Sequence, residues 1–262
     1  MTGKYNIKAV EAMVGIPAGT LRMWERRYQM IAPQRSESGH RLYTDEQVEM
    51  LRKIVAKTKE GLTVRQAIAL LETKEETDDA FSSCVQAAAS FDERKLKQLW
   101  DEWMSVYSVE KVVGEQFPAL YEALSRADVL TSAHRQFAYT LLASKLRMML
   151  LTFSSQSKQT ALAIAPKEDS LPLLFVSTYL SIRGIHVVYM NGDVSITDVL
   201  AAVEQVKPAF FLFSCHQTDD AGWLAAMKPH IACTIGVTGK GMEHHSCYIG
   251  KTKAEWEKKL HL

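Results

Sequence analysis

Residues 20–43, TLRMWERRYQMIAPQRSESGHRLY, decide how the rest of the chain reads. The stretch sets Arg22, Arg26, Arg27, Arg35 and Arg41 among Trp24, Tyr28, His40 and Tyr43. A guanidinium is a planar fork of donors that matches phosphate oxygens, or the edge of guanine, two bonds at a time. Each phosphate it neutralises releases condensed counterions. So many guanidiniums beside aromatic rings therefore point to a nucleic-acid backbone. On residue types alone, a solvated basic helix face is the competing account.

The flanks favour the first account. Upstream, Lys8 to Val14 shows helical spacing, with Ala9, Val10 and Met13 to one side and Gly15 closing the helix. Ile16 to Thr20 is a tight turn. Pro17 suits the first turn of a second helix, whose inner face carries Leu21 and Trp24. Two short helices across a glycine-containing turn form a helix-turn-helix, here with Arg22, Glu25, Arg26 and Arg27 expected outward, towards a major groove. Downstream, Ile31-Ala32-Pro33 ends the helix, Gln34 to Gly39 is a polar hairpin tip, and Arg41-Leu42-Tyr43 alternates like a returning strand. That hairpin is a wing. Thr44-Asp45-Glu46 has N-cap chemistry for a further helix through Val48, Leu51, Ile54 and Val55. After Gly61, Leu62 to Leu71 reads as another helix.

Arg22-x-Trp24-Glu25-x-x-Tyr28, Pro33 and Gly39-His40-Arg41-x-Tyr43 resemble the MerR family of winged-helix transcription regulators over about the first 75 residues. The WERRY form is similar to the branch with a cobalamin-binding sensor domain, the light- and cobalamin-responsive repressors of carotenoid genes. The resemblance implies that Arg22, Arg26 and the wing Arg41 contact DNA. Thr20, Arg27, Arg35, His40 and Tyr43 complete the candidate DNA-binding set. Trp24 is expected in the helix core or on the DNA backbone, and Tyr28 on a phosphate or capping the core. His40 reads as a phosphate contact rather than a metal ligand.

Composition sets the frame. At 262 residues the chain is long enough for two or three domains, and 47% hydrophobic with 23% charged is ordinary for a globular protein. The net charge of +1 hides a basic excess in the N-terminal part. No signal peptide or membrane span is read, so a cytoplasmic, nucleoid-associated location is expected. Cys84, Cys215, Cys233 and Cys247 form no CxxC pair and read as free thiols.

Lys74 to Asp79 is polar and acidic, a linker by composition. Four helical patterns follow, Phe81 to Ala89, Asp92 to Tyr107, Val109 to Leu124 interrupted by Pro118, and Ser132 to Leu151, which make a bundle. From Thr160 onward, short apolar strands alternate with helices. They are Thr160 to Ala165, Ile185 to Met190, Ala209 to Ser214 and Ala232 to Val237, with Tyr248-Ile249 a short fifth. Such alternation means a doubly wound parallel sheet with its site at the strand C-termini. The expected organisation is a winged helix-turn-helix (1–75), a helical bundle (76–156) and a flavodoxin-like sheet domain (157–262).

The last domain resembles cobalamin-binding flavodoxin-like domains at Arg183-Gly184, at Asn191-Gly192-Asp193 and at the strand ending in Ser214. That family carries Asp-x-His-x-x-Gly after the first strand, the His ligating cobalt. Here the loop reads Pro166-Lys167-Glu168-Asp169-Ser170-Leu171-Pro172, with no His. The family's later Gly-Gly is Gly236-Val237, where the valine is expected to crowd the cofactor tail. In its bundle, Leu124 replaces a Trp and His134-Arg135 a Glu-His pair. The resemblance thus implies a degenerate pocket at Leu124, His134, Arg135, Asp169, Ser170, Ser214 and Gly236, and no cofactor.

Cys215-His216 and Glu243-His244-His245-x-Cys247 match no zinc spacing, and Gly239-Lys240-Gly241 is too short for a phosphate loop. The expected function is a bacterial regulator binding a partly palindromic operator in double-stranded DNA as a homo-oligomer, with RNA polymerase as a further partner. The alternative is a sensor repressor that still takes cobalamin without the lower ligand, or another effector. No nucleophile–base set suggests an enzyme.

Overall fold

The structure, a computed structural model, describes residues 3–28, 32–36, 38–153, 159–166, 170–215, 218–239 and 241–262. Of 72–78 and 218–221 it describes the backbone alone. The chain divides into two compact units, Met1–Ala80 and Phe81–Leu262.

In the first unit β1 (Tyr5–Asn6) leads into α1 (Ile7–Val14), capped by Asn6 Oδ1, which accepts from the Ala9 amide at 2.9 Å. Gly15, at φ 71°, closes α1 in the left-handed conformation that glycine adopts without strain. Then come α2 (Ala18–Tyr28), β2 (Gln34–Arg35) and β3 (Arg41–Tyr43). The three strands pair antiparallel in the order β1-β3-β2. Tyr5-Asn6 is therefore a strand of the wing sheet. Next, α3 (Asp45–Lys59) starts on a capping box between Thr44 and Gln47. Val10, Val14, Leu21, Trp24, Tyr43, Leu51, Ile54 and Ile68 share one core. Burying each such side chain contributes roughly 1.5–3 kcal/mol, set against the entropy of ordering it.

The helix α4 (Val64–Ala89) runs without interruption through Lys74–Asp79, where a linker was expected. Lys and Glu are good helix formers, so a charged run is as compatible with a solvated helix as with a coil.

The second unit opens its helical layer with the last turns of α4, Phe81–Ala89, and continues through α5 (Glu93–Val106), α6 (Val109–Lys111), a π-helical turn (Val112–Gln116), α7 (Phe117–Arg126) and α8 (Ser132–Thr152). The π turn is where Pro118 makes itself felt. Proline has no amide to donate to the carbonyl four residues back and its ring crowds that carbonyl, and the chain widens by one residue just before it. A Cβ on Gly114 in this turn would lie 3.2 Å from Lys253 Cβ.

The sheet follows. Its elements are β4 (Thr160–Pro166), α9 (Leu171–Ile182), β5 (His186–Gly192), α10 (Ile196–Val206), β6 (Phe210–Ser214), α11 (Thr218–Met227), β7 (Thr234–Thr238) and α12 (Lys253–Leu260). All pairings are parallel, in the order β5-β4-β6-β7. Tyr248 makes a single bridge to Val237 instead of a fifth strand. The unpredicted α12 starts on a Thr252–Glu255 capping box. Apolar on all sides, α9 is buried from Leu173 to Ser181, between β4 and β5 on one side and α8 on the other. Helical layer and sheet thus form one unit.

Candidate nucleic-acid interface

The period of 3.6 residues sorts the side chains of α2. Leu21 and Trp24 turn inward, with Trp24 only 6% exposed. Arg22, Arg26 and Arg27 face solvent. Neither Arg22 nor Arg26 is held in an ion pair or hydrogen bond among the described residues. The Arg27 guanidinium sits 5.8 Å above the half-buried ring of Tyr28. Thr20, half-buried, lies in the first turn, where its amide donates to Pro17 O at 2.9 Å.

The wing is built by local bonds. Ser36 N donates to His40 O at 2.8 Å, and His40 N to Ser36 Oγ at 3.1 Å. Gly39 takes φ 80° at the tip, and Arg35 Nη1 donates to its carbonyl at 3.3 Å. Arg35 and His40 are exposed.

Two sequence expectations change here. Tyr43 is 1% exposed, because strand alternation points it into the core beside Trp24, whose burial there is one of the two places the sequence allows it. Glu25 does not point outward. Its carboxylate takes the side-on fork of Arg41, Nε at 2.6 Å and Nη2 at 3.3 Å, with both side chains at least three-quarters buried. A pairing across 16 residues has no local spacing signal.

The degenerate-pocket positions have other work. Leu124 is fully buried, and Arg135 closes the end of α7, Nε donating to Leu124 O at 3.1 Å and Nη2 to Ala127 O at 3.0 Å. His134 Nδ1 accepts the Thr131 amide at 3.1 Å in a capping box, and its ring packs 4.6 Å from Phe91. Ser170, 1% exposed, caps α9 through the Leu173 amide. Ser214 ends β6, buried. Asp169, with Lys167 and Glu168, lies outside the described residues, as do His216 and Lys240.

Gly236 packs closely under neighbouring side chains, and a Cβ there would come 2.8 Å from Leu212 Cδ2, which would have to shift. Val237 points the other way, into the core with Phe211 and Phe213. Gly239, at φ 123°, brings its backbone against Cys215, where a Cβ would lie 1.8 Å from the carbonyl oxygen. Around the presumed pocket, Tyr121 on α7 stacks edge-on to Phe175 on α9 with centroids 6.0 Å apart, and Glu122 pairs with Lys251 at 3.3 Å. No group of three His, Cys, Asp or Glu side chains is gathered for a metal among the described residues. Among these residues no helix is long and apolar enough to cross a membrane.

A helix-turn-helix with unpaired guanidiniums on its second helix and an antiparallel wing locked to that helix, followed in the chain by a parallel-sheet module, define a winged-helix DNA-binding regulator. Comparison with known proteins agrees. Residues 5–74 match the MerR HTH family regulatory protein model. Over 216 residues the chain is 31% identical to the HTH-type transcriptional repressor CarA of Myxococcus xanthus, spanning 77% of this chain and 73% of that protein. It is 24% identical over 229 residues to the HTH-type transcriptional repressor CarH of the same organism, spanning 79% and 77%. The chain belongs to the MerR family of transcription regulators. Among solved structures, the monomethylamine corrinoid protein of Methanosarcina barkeri superposes with a TM-score of 0.49 at 11% identity, over 65% of this chain and 91% of that one.

Proposed function

We propose that the protein is a cytoplasmic repressor that binds a partly palindromic operator as a homo-oligomer, and that it is not an enzyme. Arg22, Arg26 and Arg27 present cations to the major groove and its phosphates, while Arg35 and His40 carry the wing contact to the backbone and Arg41 fixes the wing to α2. The observation that carries this reading is the wing clamped to α2 by Arg41 and Glu25 while Arg22 and Arg26 stay free. A preorganised cationic surface loses little entropy on binding.

The C-terminal module serves assembly, without cobalt ligated through a lower His. The residues at the relevant positions do not fit that cofactor. The loop after β4 has no imidazole. His134, Arg135 and Ser170 are each engaged in helix capping. The test is binding of the full chain to duplex from its own promoter across a salt series. A linear fall of log affinity with log salt, several phosphates deep, supports the reading. Insensitivity to salt contradicts it.

A further inference from the structure

One outward stripe of α2 holds more than cations. Gly19, Arg22, Met23 and Arg26 fall at i, i+3, i+4 and i+7, and all four are exposed. Met23 is 43% exposed, an apolar side chain set between two free guanidiniums. Gly19 sits one turn before it. The fold gives no reason for a glycine there, since its φ is not left-handed and an added Cβ would meet nothing within 4 Å. Within a helix, alanine is preferred to glycine, so the position gives up helix stability for something outside the unit. A bare backbone patch, a flexible thioether and two flanking guanidiniums are complementary to one surface: a base-pair step with its adjoining phosphates.

We infer that Met23 reads a thymine 5-methyl group in the major groove, and that Gly19 leaves room for the duplex to approach α2. Only a T·A pair carries a methyl group in that groove, and methionine adapts its shape to meet it. The guanidiniums supply affinity to any sequence, whereas Met23 supplies a preference. This assignment rests on the reading that α2 enters the major groove.

The experiment uses the full chain and a duplex footprinted from its own promoter, followed by fluorescence anisotropy. Each thymine of the protected region is replaced in turn by uracil, which deletes the methyl alone. One thymine in each half-site should cost about fourfold in affinity, the worth of one buried methyl, and the loss should vanish in Met23→Ala. Gly19→Ala should raise or preserve Tm while weakening operator binding about tenfold by steric overlap. A uracil series that is flat, or equal in wild type and Met23→Ala, overturns the assignment. So does Gly19→Ala with unchanged affinity or a lowered Tm. If the wild type shows no salt-dependent binding, the DNA reading itself fails and takes this assignment with it. If it binds normally and the uracil series is flat, only the assignment fails.

Discussion

Arg41 on β3 lies side-on against Glu25 on α2, its Nε 2.6 Å and its Nη2 3.3 Å from the two carboxylate oxygens. The pair joins the wing to the recognition helix from below the surface that α2 presents. An anion in a DNA-binding helix is usually a cost, because it repels phosphate. Here it sets the angle at which two cationic elements meet.

Removing Glu25 therefore has opposite consequences under the two views. On net charge alone, Glu25→Ala would tighten operator binding. With Glu25 as a positioning residue, Glu25→Ala weakens binding and lowers the stability of the N-terminal unit by about 1–3 kcal/mol, the cost of a charge-assisted bond left unmade. Affinity and urea unfolding of the same variant separate the two views.

Tyr43 belongs to the core, and its hydroxyl is buried without a partner among the described residues. Tyr43→Phe should leave both Tm and operator affinity close to wild type, while Tyr43→Ala should cost about 3–5 kcal/mol. Burial raises the phenol's pKa above its usual 10.0. The folded state thus favours the protonated form, so this contribution is complete below pH 10 and is lost as pH rises through the folded value. Tyr43→Phe should soften the alkaline end of the stability profile, measured by thermal melts.

Cys84 gives a second alkaline effect. Burial pushes its thiol from 9.0 up to about 12. The neutral thiol is the folded form. Its contribution is full below pH 9 and is lost between pH 9 and 12, on the order of 4 kcal/mol. Cys84→Ala should flatten the decline over that window, and a thiol reagent at pH 8 should spare Cys84 in the folded protein.

Arg135 holds the end of α7 through two backbone carbonyls. Arg135→Ala should destabilise the second unit by about 1–3 kcal/mol, read by unfolding in urea. With His134 and Arg135 committed to capping, adenosylcobalamin and methylcobalamin should show no shifted visible spectrum on mixing with the wild-type protein.

Much of this architecture is legible in the residues. A continuous apolar run bounded by Ser170-Leu171-Pro172 and Arg183-Gly184 reads as a helix over Leu171 to Ile182, and α9 has those limits. The wing follows from Gly39 and the alternation of Arg41-Leu42-Tyr43. Other features leave no local trace. The Glu25–Arg41 pair depends on a tertiary fold that periodicity does not encode. The run Lys74–Asp79 has the composition of both a linker and a solvated helix. Thr252 and Glu255 carry the capping signal for α12, but the helix is short and mostly polar, so no periodic stripe draws notice.

The most direct test is operator retention by Arg22→Glu/Arg26→Glu beside wild type, with folding checked by circular dichroism. The account predicts a folded protein whose affinity falls by at least about a hundredfold and whose salt slope becomes shallower by about two phosphates. A folded double variant that holds the operator as tightly as wild type, with the same slope, would contradict it.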